Sequence, residues 1–570
     1  MGTVERVERV SVRGWRKGDA RVWGMIGAVV LIAVLARPMV IGRTFVGWDW
    51  YSHQWYIWHQ AGSLKANGLP SLYAYSSGAF SPVYAFYGGT MYVLAGLFSF
   101  VVGNPGSAMV IMFVLGFAAA YGGWYWLAFQ VRLRGWVAHA PAVLFVTAPY
   151  YLAMIYATGG LGEFTAISMI PLALASGLSV ISSDRLRLGP AAVLAASVIL
   201  LTGSHNLTLV WGVTVLVIVG AVAVVVIPAA RPALMAHRRG ILRALGVAVP
   251  AVLVNGWFLL PDLVYASKTL IATSVATEKG QLQSTMYLVD PSHLWSLGRG
   301  SATPRVAHYA LQLPVLAGAW ILGGLVLARS AWTSSWYRGV LVLLAAIVVL
   351  YVLIERFGLL WGLPSPYNVI QFSYRLESYI LLAVAGAVIL VLRLAGRTRW
   401  TWVLGVVAAW SVVGAVVQLH QVAPTKAPEW THAAAYIPPA PPPNIVDYGD
   451  GNLPVVTVDP DQTPLAFFGP GAEHGNRSEV TVAASPGAIV RSNIVAVSPL
   501  VKVEGGHFVA REPAGANLIQ IADDATPGAA KLTVSAARPW PVVGGWLLTL
   551  AGLAGLVANA VVLVRRRARA

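Results

Sequence analysis

Pro82-Val-Tyr-Ala-Phe-Tyr-Gly-Gly-Thr-Met-Tyr-Val-Leu-Ala-Gly-Leu-Phe-Ser-Phe-Val-Val102 is the stretch on which the reading of this chain turns. It is apolar and just long enough to cross a bilayer, for which about 20 residues are needed. Whether it crosses decides how every later segment faces. If it crosses, the arginines at 132, 134, 185, 187, 231 to 243, 329, 338 and 393 to 399 all fall outside. If it lies along, or dips into, the outer leaflet, they all fall inside, as the excess of Lys and Arg in cytoplasmic loops requires. The opposing loops at 158–163 and 204–206 then carry no Lys or Arg. Tyr84, Tyr87 and Tyr92 suit such an interfacial position. The second reading is adopted.

The rest of the chain agrees with a membrane protein. Of its 570 residues 57% are hydrophobic and only 11% charged, with a mean hydropathy of +0.68. A soluble chain carries about 25% charged residues, so this one has too little charge to solvate its surface. The net charge of +17 is explained by basic loops and tails facing anionic lipid, and nucleic acid is not an expected partner. Cys is absent, which removes disulfides and thiolate chemistry. Lys is rare beside Arg, and Ala, Val and Gly are abundant, which suggests a GC-rich bacterial genome.

Apolar runs predict twelve transmembrane helices, near 22–42, 106–129, 137–157, 164–182, 189–204, 207–228, 244–260, 308–328, 339–355, 376–392, 400–418 and 541–564. The fold expected is a polytopic α-helical membrane protein with both termini cytoplasmic. Residues 1–21 form a basic cytoplasmic N-terminus and 22–418 a transmembrane core. That core carries a first extracytoplasmic loop at 43–105 and another at 261–307. From 419 to 540 the composition changes. A Pro-rich linker (Ile437 to Pro443) leads into short alternating runs such as Val480-Thr-Val-Ala483 and Lys531-Leu-Thr-Val534, as in a small β-rich, sandwich-like extracytoplasmic domain. Residues 541–570 supply a terminal helix and a basic tail.

Polar residues in such surroundings need a reason. In Gly47-Trp-Asp-Trp-Tyr-Ser-His-Gln-Trp-Tyr-Ile-Trp-His59, Asp49 and His53 are four apart and can share one helix face. The aromatics around them suit an amphipathic interfacial helix, for which Asp49 could equally be a cap. Glu163, in Gly159-Gly-Leu-Gly-Glu163, is the charged residue of its loop; it is a candidate base, metal ligand or partner of an arginine. Its bland role is to complement a helix dipole. Ser204-His205-Asn206, Asn255 and Asp262 add polar groups at the same depth. Arg375 has a planar fork suited to phosphate, against which stands a salt bridge to Glu377. His293, Arg299 and Arg305 could also meet an anion. Carboxylates, imidazoles and an arginine at one outer boundary suit a reaction on the head group of a phospholipid-like donor. The chain has no P-loop, Rossmann fingerprint, Gly-x-Ser-x-Gly or His-Glu-x-x-His.

The ordered motifs resemble the GT-C superfamily of membrane glycosyltransferases, closest to its YfhO-like bacterial branch. They are Asp49-x-x-x-His53, Gly68-Leu-Pro70, the run with Pro82 and Tyr87, Arg132 and Arg134 in a turn, and Pro149-Tyr150 before Gly-x-Gly-Glu163. Ser204-His-Asn206 and Ile370-Gln-Phe-Ser-Tyr-Arg375 follow, and a β-rich domain precedes the last helix. The resemblance implies a glycosyltransferase working on the outer face of a bacterial plasma membrane. Its donor would be a polyprenyl-phosphate sugar, and its acceptor an envelope glycan or lipid. Asp49 would act with Glu163 and His53 in catalysis, and Arg375, His205, Asn206, Glu377, Arg299 and Arg305 would bind substrate. Many members pair two acidic residues in the first loop. Here Trp48 and Trp50 flank a single Asp49, so a divalent cation (Mg²⁺ or Mn²⁺) is optional, with Asp49 and His53 the pair that could hold it. A flippase for a lipid-linked glycan and a non-catalytic envelope scaffold are the rival functions.

Overall fold

The computed structural model describes residues 19–41, 49–76, 79–156, 158–271, 312–356, 358–364, 366–367, 370, 373–395, 399–421, 450–468, 477–513 and 515–568. His293, Arg299, Arg305 and the Pro-rich linker lie outside the described residues. The helical part runs α1 (Asp19–Val40), α2 (Trp50–Asn67), a hairpin of β1 (Ala74–Ser76) and β2 (Ala79–Ser81), α3 (Val83–Phe86), α4 (Gly89–Val102) and α5 (Pro105–Gln130). Then come α6 (Ala140–Val146), α7 (Pro149–Tyr156), α8 (Leu161–Ser182), α9 (Leu188–Thr202), α10 (Asn206–Val226), α11 (Ala230–Ala236), α12 (Arg238–Leu253) and α13 (Gly256–Tyr265). The last helices are α14 (Gln312–Leu327), α15 (Ser335–Glu355), α16 (Glu377–Ala395), α17 (Arg399–Gln421) and, beyond the β-domain, α18 (Trp540–Ala568).

Among the described residues eight helices are long and apolar enough to cross a membrane, or nine if α12 and α13, bent by 73°, count as one span. The chain is a multi-pass membrane protein, and among the described residues several of the twelve expected spans are broken or short. The run at 137–157 is broken into α6 and α7, because the helix stops at Thr147 and restarts at Pro149. The run at 189–204 gives a helix of 15 residues, and the run at 308–328 is helical over its described part, Gln312–Leu327. The deciding segment forms α3, a turn and α4, whose 14 residues reach about 21 Å at 1.5 Å each, short of a bilayer core of about 30 Å. Met91, Tyr92 and Ala95 of α4 face inward, while Leu97, Phe100 and Val101 are exposed.

Gly88 makes the α3–α4 turn possible. Its φ is +53°, and a Cβ there would overlap the backbone oxygen of Ser204, so the turn locks the first loop onto the start of α10. Gly88→Ala adds left-handed strain to that overlap and is expected to cost at least about 2 kcal/mol. An unchanged melting temperature in detergent would contradict this packing.

Expected as an interfacial helix, α2 is instead interior. Trp50, His53, Gln54, Trp55, Ile57, His59, Gln60 and Ser63 are all buried, and α2 packs on α4 and α5. Two of its polar side chains, Gln60 and Ser63, find partners inside the protein. Gln60 Nε2 donates to Ser71 O at 2.7 Å, Ser71 N–H donates to Gln60 Oε1 at 3.0 Å, and Ser63 Oγ donates to Leu69 O. Such internal partners let polar side chains of a helix be buried.

The break between α12 and α13 frees backbone groups that must be satisfied within the protein, and α18 does so. Thr549 Oγ1 donates to Val254 O (3.1 Å) and accepts from Trp257 N–H (2.9 Å). The terminal helix is therefore part of the core as well as an anchor.

The β-domain has two sheets. One has the order β3 (Leu465–Ala466), β5 (Ile489–Ser492), β8 (Asn517–Ile521), β7 (Gly506–Arg511). The other has the order β4 (Arg477–Val482), β9 (Ala530–Ala536), β6 (Val501–Glu504). The expected strands around Val480 and Lys531 pair with each other, Val480 opposite Leu532. Val482, Val490, Ile519, Leu532 and Val534 join one core. The domain starts later than position 419, since α17 continues to Gln421. It is tied to the membrane part by backbone pairing: Phe80 N–H donates to Asn493 O and Val495 N–H to Phe80 O, while Gly451 N–H donates to Lys268 O.

Candidate functional site

The site lies where the starts of α2, α8, α10 and α16 meet the turn before α4. The alternation of helices places Glu163 in the first turn of α8, His205 at the cap of α10 and Glu377 in the first turn of α16. The arginines of the α8–α9 turn sit at the other end of the bundle. Glu163, expected in a loop, is thus the second residue after the start of a helix.

Asp49 precedes α2, but its carboxylate makes no capping bond, so capping does not account for it. Its backbone N–H donates to Thr158 O (3.1 Å) and its carbonyl accepts from His53 N–H (3.0 Å). Through the first of these bonds the loop before α8 is fastened to the start of α2, which brings Asp49 towards Glu163. Asp49 keeps solvent contact, yet the protein around it raises its carboxyl above the ordinary carboxylate range, an effect that Arg375 partly opposes.

His53 lies one turn along the same face, as its spacing predicts. Its Nδ1 meets Tyr92 Oη at 2.5 Å, while its Nε2 is buried with no hydrogen-bond partner. Burial lowers its pKa to about 3. The ring stacks near Tyr87 and Tyr92, with centroids 6.1 and 5.8 Å away.

Glu163 is engaged on both oxygens. Tyr150 Oη donates to Oε1 at 2.7 Å, and Arg375 Nε lies 3.4 Å from Oε2. Arg375 therefore pairs with Glu163, far off in the sequence, which is one of the three roles read for Glu163 from the sequence. Glu377 is buried in the first turn of α16, where the helix dipole favours a carboxylate.

His205 caps α10: its Nδ1 accepts from Thr208 N–H (3.2 Å), which leaves the ring proton on Nε2. Burial holds its pKa well below the ordinary value. Its ring meets Tyr87 edge-on at 5.5 Å. Asn206 Nδ2 donates to Phe86 O (2.9 Å) and Asp262 Oδ2 (2.6 Å), so both residues of this motif do structural work at the rim. Asn255 is likewise a clamp, with Nδ2 donating to Ile199 O (2.9 Å) and Thr202 Oγ1 (2.6 Å).

Tyr87, Tyr92 and Tyr150 were not singled out for chemistry by sequence. Tyr87 and Tyr92 read as interfacial aromatics, yet they wall the site. Tyr87 is within electrostatic reach of Asp49, Glu163 and Arg375 together. The available signal was Tyr150 standing in the Pro-Tyr that precedes the Gly-x-Gly-Glu163 motif.

A divalent cation fits this donor set poorly. Among the described residues no three His, Asp or Glu side chains are grouped to hold a metal. Both Glu163 oxygens are taken, and the Arg375 guanidinium already supplies a positive charge beside Asp49.

No family model matches the chain, and no curated protein matches it significantly. Three solved structures are similar to it. The arabinofuranosyltransferase AftD from Mycobacteria is 14% identical, over 69% of this chain and 27% of that one, with a TM-score of 0.37. The oligosaccharyltransferase of Archaeoglobus fulgidus is 14% identical, over 78% of this chain and 63% of that one, with a TM-score of 0.38. ArnT from Cupriavidus metallidurans, bound to undecaprenyl phosphate, is 15% identical, over 71% of this chain and 78% of that one, with a TM-score of 0.35. The chain thus spans about a quarter of the first and under two thirds of the second.

Proposed function

We propose that this protein is a membrane glycosyltransferase that takes a sugar from a polyprenyl-phosphate donor at the outer face of the membrane. The supporting observation is an uncapped carboxylate, Asp49, that keeps solvent contact and lies within electrostatic reach of Arg375, an arginine held 3.4 Å from Glu163 among buried tyrosines. A carboxylate positioned this way can serve as a general base, and a guanidinium beside it can stabilise a departing phosphate. In the proposed step the acceptor oxygen bonds to the anomeric carbon and its proton passes to Asp49. The bond from that carbon to the phosphate oxygen breaks, and the electron pair leaves on the lipid phosphate next to Arg375. Glu163 fixes the guanidinium through its second oxygen and Tyr150 fixes Glu163, so Glu163 is a positioning residue here rather than a second base.

The outer face is supported by the arginines of the turns at the far end of the bundle, which belong on the cytoplasmic side. The β-domain stands over the first loop and binds or orients the acceptor, an envelope glycan or lipid. Within this reading the ordered motifs place the chain in the YfhO-like branch, which is part of the same proposal.

The test is release of free lipid phosphate from polyprenyl-phosphate sugars by the purified protein in lipid nanodiscs, with an acceptor extract present. Because the pocket already holds its own cation, turnover is expected to persist in EDTA. Loss of turnover in EDTA that Mg²⁺ or Mn²⁺ restores would contradict the reading of Arg375 as the cation that meets the phosphate.

A further inference from the structure

We propose that the end of the bundle opposite Asp49 holds a binding site for an anionic phospholipid, formed where the α8–α9 turn, the start of α12 and the end of α18 converge. This site is independent of Asp49, Arg375 and the transferase reading. Glu163 is in the first turn of α8, and the helix runs on to Ser182, which puts its last turn about 29 Å away at 1.5 Å per residue. Packing brings the three segments together there. A Cβ on Gly240 would lie 2.0 Å from Ile181 O, so the first turn of α12 lies directly on the last turn of α8. Arg243 Nη2 donates to Ser183 O at 2.6 Å and its Nη1 donates to Asp184 O. This guanidinium therefore closes the carbonyl end of α8 and is part of the scaffold. The helix α18 runs antiparallel to α12, with Gly552 against Pro250 O and Asn559 Nδ2 donating to Gly246 O at 2.9 Å. Arg565, further along α18, comes level with Gly240. Leu186 of the turn packs on a cluster that joins Val180 and Leu194 to Val247 of α12 and Leu563 of α18.

The result is a concentration of cations without counter-charge. Arg185, Arg187, Arg238, Arg239 and Arg565 are all exposed, and among the described residues no carboxylate is within ion-pair distance of any of them. Asp184 is the one acid in the sequence of these segments. Basic loops on one side of a membrane follow from topology alone, but topology does not require loops far apart in sequence to meet at one place. A basic pocket between helix ends is suited to an anionic head group, and the arginine fork fits its phosphate. The shape below the arginines selects a lipid over a soluble anion. Leu242, Leu245 and Val249 follow Arg238 at spacings of 4, 7 and 11, so all four share one face of α12. The three apolar residues on that face are exposed. An acyl chain covers this strip while its phosphate meets Arg238 and Arg239 at the top, with Arg185 and Arg565 beside them. A soluble phosphate would leave the strip bare.

The experiment titrates the purified full-length chain in detergent with phosphatidylglycerol, cardiolipin and phosphatidylcholine of matched acyl chains, and reads bound lipid by native mass spectrometry. Both anionic lipids are expected to bind at least about tenfold more tightly than phosphatidylcholine. Arg238→Gln/Arg239→Gln is expected to weaken anionic-lipid binding about tenfold or more with an unchanged melting temperature, since both side chains are exposed. Arg185→Gln, in a different loop, is expected to weaken it as well. Arg329→Gln/Arg393→Gln removes the same charge from other basic turns and is expected to leave binding as in wild type. Equal affinity for the three lipids overturns the proposal. An equal loss in the two double variants also overturns it, because it reports a general charge effect and no site. Displacement of the bound lipid by glycerol 3-phosphate overturns the lipid assignment in favour of a soluble phosphate.

Discussion

Asp49→Asn is expected to reduce turnover by about 10²- to 10⁴-fold, the range associated with a positioned general base, while the protein folds and binds its donor as before. The substitution keeps the size of the side chain and removes only its ability to take a proton. Folding should be unaffected because the Asp49 carboxylate makes no capping bond, and the backbone bonds to Thr158 and His53 persist in any residue at 49. A pH profile adds a second check. The ionised carboxylate is the active form, and burial raises its pKa above the usual value. The acid limb of the rate should therefore lie above the ordinary carboxylate range, with activity lost as pH falls through it. Asp49→Asn activity equal to wild type would remove Asp49 from catalysis.

Arg375→Ala should have the largest effect on both stability and donor affinity. It leaves Glu163 buried against Tyr150 without its cation. Removing one partner of such a pair costs about 3–5 kcal/mol when burial is complete, and somewhat less here because Arg375 keeps 21% of its side-chain surface exposed. The phosphate contact is lost as well, which should raise KM for the donor about a hundredfold. The double variant Arg375→Ala/Glu163→Gln separates the two effects, since it removes the uncompensated carboxylate. It should regain much of the melting temperature and none of the donor affinity. Recovery of both would mean that Arg375 is structural only. Arg375→Lys, which keeps the charge and loses the planar fork, should fall between wild type and alanine.

Membrane character, the approximate positions of most helices and the β-domain followed from hydropathy and alternation, because each is a local, periodic property. The Asp49–His53 relation was legible for the same reason, being a spacing of four on one helix. What composition could not give was partnership across the fold. The Glu163–Arg375 pair joins α8 to the turn before α16: a role for Glu163 as partner of an arginine was legible, but which arginine was not. The helix α2 was misread because a mixture of Trp, Tyr, His and Gln describes an interfacial helix and a buried one equally well. Only the partners of Gln60, Ser63 and His53 distinguish the two. Span counting failed at breaks, such as the restart at Pro149 and the bend after Leu253. The Thr549 hydroxyl that makes the second of these tolerable comes from the far end of the chain.

The central claim is that Asp49 and Arg375 carry out transfer of a sugar from a lipid phosphate. Its most direct test follows a radiolabelled sugar on polyprenyl phosphate, in nanodiscs with an acceptor extract, for wild type and Asp49→Asn side by side. The predicted result is that both proteins bind the donor, while wild type alone releases lipid phosphate in equal amount to the label that enters the acceptor. Equal release by both proteins would contradict the account, as would a donor carried intact across a sealed bilayer with no bond broken.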